Sequence, residues 1–283
     1  MTDTLRHVHR LALCADFLFI IVLSSCGTLT SSDEQLVAKL KEAPMPARIQ
    51  YTTVDDWTVR SLEAGNPEHS QVVLIHGAPG SLDAFSAYFG DDRLVGNVHL
   101  VGVDRPGYGG SQPGRIETSV RRQAQLLRPL IRPGAILVGH SYGGTTAVRL
   151  AMDYPDLVGG LVIVAGSMSP EDERLFFFNR PMQWPVFNWI MSRSWRMANA
   201  EKVTRVEELR TMLPLWQQIT APTVLIHGTN DSLVPYPHSP FAESLLTSAS
   251  VRLITLEGGS HFILWSERDR IVDAILSLLP SSN

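Results

Sequence analysis

An α/β fold, with a mostly parallel central sheet flanked by helices, is what the sequence predicts. Two observations carry the prediction. Six short apolar runs lack the polar alternation of half-exposed strands, as expected of strands covered on both faces. Helical patterns separate several of them, at about 115–131, 143–153 and 266–279, which makes βαβ units. Length and composition agree with this. The chain has 283 residues, 44% hydrophobic and 18% charged, enough to bury a sizeable core. A net charge of −4 excludes sequence-independent binding of nucleic acid, which needs clustered cations. The densest basic stretch, Arg121 and Arg122 with Arg128 and Arg132, reads as a solvated helix face.

The N-terminus reads as an address. Residues 1–10 carry Arg6 and Arg10, and an apolar stretch runs from Leu11 to Leu23, interrupted by Asp16. At about 13 residues it falls short of the ~20 needed to span a bilayer. A short apolar core behind a positive start is the pattern of a secretory signal. Leu23-Ser24-Ser25-Cys26-Gly27 resembles the lipobox of bacterial lipoproteins, whose cysteine thiol receives a diacylglyceryl group. That resemblance implies a signal peptide over residues 1–25 and a lipidated Cys26. It also implies export, with the domain held outside the cytoplasm on a bacterial membrane. Cys14 would leave with the signal, so the chain's two cysteines would form no disulfide. Residues 26–48 are expected to supply a tether and a short helix ending before Pro44. Ser31-x-x-Glu34 is the expected capping box.

One α/β domain is expected over residues 49–283. Tyr51 to Glu63 should form two antiparallel strands ahead of the parallel ones. The six apolar runs then follow: Gln71–His76, Val98–Val103, Ala135–Val138, Leu161–Ala165, Thr223–Ile226 and Val251–Leu256. Ligands of such sheets bind beyond the carboxyl ends of the strands, so the residues after each run are where chemistry belongs.

The third run leads into Gly139-His140-Ser141-Tyr142-Gly143-Gly144 and then a helix. G-x-S-x-G between strand and helix is the nucleophile elbow, in which a sharp turn exposes the serine oxygen above the sheet. Ser141 is therefore the candidate nucleophile. A hydroxyl needs a base, and His261, in Gly258-Gly259-Ser260-His261-Phe262 after the sixth run, is the candidate. The base needs an orienting carboxylate. Asp231 follows the fifth run in His227-Gly228-Thr229-Asn230-Asp231, with Asp172, after the fourth run, as second choice. After the first run, Gly77-Ala78-Pro79-Gly80 can supply half of an oxyanion hole from the Ala78 amide, and the Tyr142 amide can supply the other half. His76 is read as holding that turn. In Asp104-Arg-Pro-Gly-Tyr-Gly-Gly-Ser111, Gly107-x-Gly109 lacks the third glycine of a nucleotide fingerprint, since Gln112 stands there, and is read as a structural turn. No metal or organic cofactor is expected, because no His, Cys or Asp cluster has ligand spacing.

These blocks, HGAPG, DRPGYGGS, GHSYGG, GTNDSLVP and GGSHF, stand in the order found in the α/β-hydrolase superfamily, which the chain resembles over roughly residues 49–280. Ser141, Asp231 and His261 match that family's triad in its order Ser…Asp…His. Epoxide hydrolases and haloalkane dehalogenases share an HGxP block but use an aspartate nucleophile, so Ser141 argues against both. The resemblance implies a helical cap between the fourth and fifth runs, at about 168–220. That segment holds Phe176, Phe177, Phe178, Phe187, Trp184, Trp189, Trp195 and Trp216, half of the chain's Phe and Trp. Such a cap should cover an apolar cleft for a small-molecule substrate with an apolar part. The implied function is hydrolysis of a small or medium, partly apolar ester through an acyl-enzyme. Amide, C–C or thioester hydrolysis and acyl transfer use the same triad, and a non-catalytic binding protein on this scaffold is the alternative of a different class.

Overall fold

Each apolar run becomes a strand because both of its faces find apolar cover. The computed structural model describes residues 30–280 except residue 190; the signal segment and Cys26 lie outside the described residues. The strands are β1 (Arg48–Val54), β2 (Trp57–Ala64), β3 (Gln71–Ile75), β4 (His99–Val103), β5 (Ala135–His140), β6 (Val158–Val164), β7 (Thr223–Gly228) and β8 (Val251–Leu256). They form one sheet in the order β1-β2-β4-β3-β5-β6-β7-β8. β2 runs antiparallel to both of its neighbours, and all other neighbouring pairs are parallel. The longer helices are α1 (Asp33–Lys39), α2 (Val120–Leu127), α3 (Tyr142–Asp153), α4 (Arg193–Met212), α5 (His238–Leu245) and α6 (Arg268–Leu276).

Successive strand residues point to opposite faces, and here both faces are core. Val73, Ile75, Leu137 and Leu225 face the layer that contains α2, α3 and α5. Val72, Leu74, Val138 and Ile226 face the layer that contains α1 and α6. That two-sided cover explains why the runs read as continuous apolar stretches. β8 differs: it is the last strand of the sheet, and Arg252 and Thr255 on it are exposed. The expectation of full burial fails there because no strand lies beyond it.

Two further expectations are displaced. The capping box of α1 is Ser32 with Gln35, not Ser31 with Glu34. The Ser31 amide and hydroxyl instead donate to Asp83, and the Leu36 side chain is buried in the core, so this helix is fastened to the domain. The helix expected from about residue 115 starts at Val120, where the Ser119 hydroxyl accepts from the Arg122 amide as N-cap.

Between β6 and β7 the chain crosses the carboxyl edge of the sheet. Short 3₁₀ turns at Pro181–Gln183 and Pro185–Trp189 precede α4. The end of α4 and the turn after it sink Leu209, Met212 and Trp216 into the core beneath. Among the described residues no helix is long and apolar enough to cross a membrane.

Candidate active site

Ser141 follows the end of β5 at φ 53° and ψ −121°, backbone angles that a non-glycine residue adopts only under constraint. The neighbouring glycines make the turn possible. A Cβ on Gly139 would lie 2.5 Å from the Gly143 carbonyl oxygen, and one on Gly143 would lie 2.1 Å from that of Ile75. The Ser141 amide donates to the Val164 carbonyl at 2.9 Å, and the Gly144 amide to the Ser141 carbonyl at 3.0 Å. Sequence and backbone together hold the hydroxyl-bearing residue at the start of α3, where helix N–H groups are unpaired.

His261 comes from the loop after β8. Its Nδ1 lies 2.7 Å from Asp231 Oδ2. A carboxylate only accepts, so Nδ1 carries the proton, which in the neutral imidazole puts the lone pair on Nε2. The other Asp231 oxygen accepts the amides of Leu233 at 2.9 Å and Val234 at 2.8 Å. Burial pushes the Asp231 carboxyl up, but hydrogen bonds from His227 and His261 outweigh it and hold the group well below the usual carboxylate range. Asp172, the second choice, is engaged elsewhere and accepts the Ser169 hydroxyl at 2.7 Å.

Two other histidines near Ser141 have different surroundings. His140 lies 4.9 Å from the His261 ring, tilted 42° to it, and burial, helped by His261, pushes it down to about 3, so it is neutral near pH 7. His76 Nδ1 donates to the Gly77 carbonyl at 2.7 Å, and its Nε2 accepts the Arg105 amide at 3.0 Å. It holds the turn that carries Ala78. Among the described residues neither the Ala78 nor the Tyr142 amide is engaged in a hydrogen bond. A Cβ on Gly77 would stand 3.0 Å from the Ser141 Cβ, so this turn and the elbow are in close approach.

Asp104 anchors the DRPGYGGS turn. It accepts the amides of Leu82 at 2.7 Å and Gly110 at 2.8 Å, and pairs with Arg60 at 3.2 Å. The Gly107-x-Gly109 stretch is thus a structural turn.

Ser141, His261 and Ala78 border one cavity of about 160 Å³ under the cap. Of the eight aromatic residues expected to pack the cap or line the cleft, Phe176, Phe178 and Trp195 line it. Trp216 is buried in the core, whereas Phe177, Trp184 and Trp189 are exposed. The cavity wall is less apolar than expected, because Lys202 and Arg205 of α4 also form part of it.

A buried ion pair was not foreseen from the sequence. Glu201 of α4 receives Arg105 at 2.7 Å, the Gln123 amide at 2.8 Å and the Tyr108 hydroxyl at 2.7 Å. Arg105 also donates to the carbonyls of His76 at 2.9 Å and Gly77 at 3.2 Å. Arg105 stands in the DRPGYGGS block, but its partner is 96 positions away, and no local pattern announces such a pair.

The sheet order, the elbow after β5 and the crossing segment above it define a protein of α/β-hydrolase fold. The sequence matches the family model described as "Alpha/beta hydrolase family" over residues 72–274, and the chain belongs to that family. It is 27% identical over 232 residues to a 2-hydroxy-6-oxononadienedioate/2-hydroxy-6-oxononatrienedioate hydrolase of a Pseudomonas species, covering 76% of this chain and 77% of that protein. It is 32% identical over 128 residues to the dihydrolipoyllysine-residue acetyltransferase component of an acetoin cleaving system of Cupriavidus necator. That match covers 44% of this chain and only 33% of the other. Among solved structures, a putative aryl esterase from Burkholderia cenocepacia superposes with a TM-score of 0.68 at 24% identity, covering 82% of this chain and 99% of that one.

Proposed function

We propose that this protein is a serine hydrolase that cleaves a small or medium ester with an apolar part by acyl-enzyme chemistry. The observation that carries the reading is the 2.7 Å contact between His261 Nδ1 and Asp231 beside the strained turn at Ser141. His261 Nε2 takes the Ser141 proton as the oxygen attacks the ester carbonyl. Asp231 fixes the tautomer and stabilises the imidazolium. The amides of Ala78 and Tyr142 receive the oxyanion of the tetrahedral intermediate; one such donor is worth roughly 10²–10³ in rate. His261 then protonates the leaving alcohol, and water repeats the sequence on the acyl-enzyme.

The test is labelling with a fluorophosphonate probe together with hydrolysis of a panel of neutral esters graded by chain length. The wild type should label and turn over, and Ser141→Ala should do neither. A wild type that neither labels nor hydrolyses any ester would leave the binding-protein reading in its place. We further propose that the domain is exported and lipid-anchored through Cys26. Metabolic labelling with a palmitate analogue should mark the wild type, and a label that survives Cys26→Ala would refute this.

A further inference from the structure

Arg205 projects from α4 into the wall of the Ser141 cavity and is only 5% exposed. Its guanidinium carbon lies 3.7 Å from the centre of the Tyr142 ring, which places the charge beside the residue that follows Ser141. Among the described residues nothing accepts a hydrogen bond from this guanidinium, and its Nε is buried without a partner.

The nearby carboxylates are already committed. Glu201, one turn earlier on α4, has both oxygens occupied by Arg105, Gln123 and Tyr108. Glu173 has one oxygen on the Ser167 hydroxyl at 2.6 Å and the other on the Lys202 ammonium. Glu173 lies in the field of both Arg205 and Lys202 but spends its two oxygens on Ser167 and Lys202, so the Arg205 guanidinium stands on the cavity wall without a hydrogen-bond acceptor. A buried cation without an acceptor is costly, and a guanidinium is the group best shaped to grip a carboxylate with two parallel hydrogen bonds. Elsewhere on the wall Phe176, Phe178 and Trp195 suit a hydrocarbon segment, while Asn179 and Asn199 are paired with each other.

We propose that Arg205 is the anion-receiving group of the Ser141 cavity, so that the substrate is an ester whose apolar skeleton ends in a carboxylate. This rests on the reading of Ser141 as nucleophile. It refines the expectation of a merely apolar substrate, since an apolar cleft alone would select against a charged end.

Two esters of the same length separate the cases: monoethyl adipate, with a terminal carboxylate, and ethyl hexanoate, with a methyl group in its place. The quantity read is the ratio of their kcat/KM values from ethanol release, so that any loss common to both cancels. The wild type should favour the adipate ester. Arg205→Gln should lower the ratio about 10- to 100-fold, the range for a hydrogen bond to a charged group. Lys202→Gln, whose ammonium is already paired, should lower it less. A wild type that prefers ethyl hexanoate overturns the proposal, as does an Arg205→Gln protein in which both esters fall equally.

Calorimetry on Ser141→Ala protein supplies a readout that needs no turnover. It should show binding of monoethyl adipate, lost when Arg205→Gln is added. If the wild type neither hydrolyses nor labels while this binding is found, the nucleophile reading falls and the anion site stands. If Ser141→Ala protein does not bind monoethyl adipate, the anion site falls.

Discussion

Replacing Glu201 by Gln should destabilise the fold far more than an ordinary polar substitution. The side chain is fully buried and keeps its shape in the variant, so the change removes one charge and replaces an acceptor oxygen with an N–H₂ donor. The lost charge leaves Arg105, itself fully buried, without a counterion. The new donor faces the Arg105, Gln123 or Tyr108 donors that now fill the carboxylate. Breaking one half of a buried pair in this way costs about 3–5 kcal/mol. For a domain of this size each kcal/mol moves the melting temperature by roughly 2–4 °C, so the expected fall is roughly 6–20 °C. Thermal melting by circular dichroism measures it. The double variant Arg105→Met with Glu201→Leu should melt above the value obtained by adding the two single losses, because both charges have then gone together. A Glu201→Gln protein that melts within about 2 °C of the wild type would refute the reading of Glu201 as the indispensable buried counterion of Arg105.

Three further outcomes follow from the geometry. Asp231→Asn should leave the fold intact but cost about 10⁴ in kcat, because the amide can donate to Nδ1 and so favours the wrong tautomer; ester hydrolysis measures it, and a loss under tenfold would count against the assignment. Gly143→Ala should fail to give soluble protein, since its Cβ would meet the Ile75 carbonyl at 2.1 Å. Gly77→Ala, where the closest atom is 3.0 Å away, should fold with reduced activity; expression yield and ester turnover distinguish the pair. His238 gives a pH dependence. Its Nδ1 accepts the amides of Met168 and Ser169 at 2.9 Å, and burial pushes it down to about 4. The neutral ring therefore contributes stability that is full above the ordinary value of about 6.5 and is lost as pH falls from there toward about 4. At pH 5 this amounts to about 2 kcal/mol, so the wild type should lose roughly 4–8 °C more than His238→Asn between pH 7 and pH 5. Equal losses in differential scanning would refute it.

What was legible in the sequence was local. β3 to β7 announced themselves as apolar runs because their own residues supply both faces of the core. The turn at Ser141 was legible because its glycines are within two residues of it, and the His261 and Asp231 loops because strand ends mark them. The capping box slipped by one residue because serines occur at both 31 and 32, and the contact between Ser31 and Asp83 decides between them across 52 positions. The cap was legible only as composition. Counting Phe and Trp could not separate Trp216 in the core from Trp189 at 95% exposed, because that depends on where the chain passes over the sheet. Lys202 and Arg205 fall in a helix of mixed charge with no local pattern to mark which of its charges turn toward the cavity, as both of these do.

The same helix supports both halves of the candidate oxyanion hole. Glu201 grips Arg105, and Arg105 in turn holds the carbonyl of Gly77, the residue before Ala78. One turn later Arg205 lies against the ring of Tyr142 at 3.7 Å, a ring that Arg105 also meets at 4.4 Å. The peptide segments carrying the two amides are thus tied to α4 by charged contacts and to the sheet by backbone bonds. A donor pair has to be in place before charge develops on the substrate, and rigid support from two directions is how a fold achieves that. The exposed Trp184 and Trp189 precede α4 and share none of these ties. The part of the cap that can change without disturbing the amides is therefore the part before α4, while α4 itself belongs mechanically to the site.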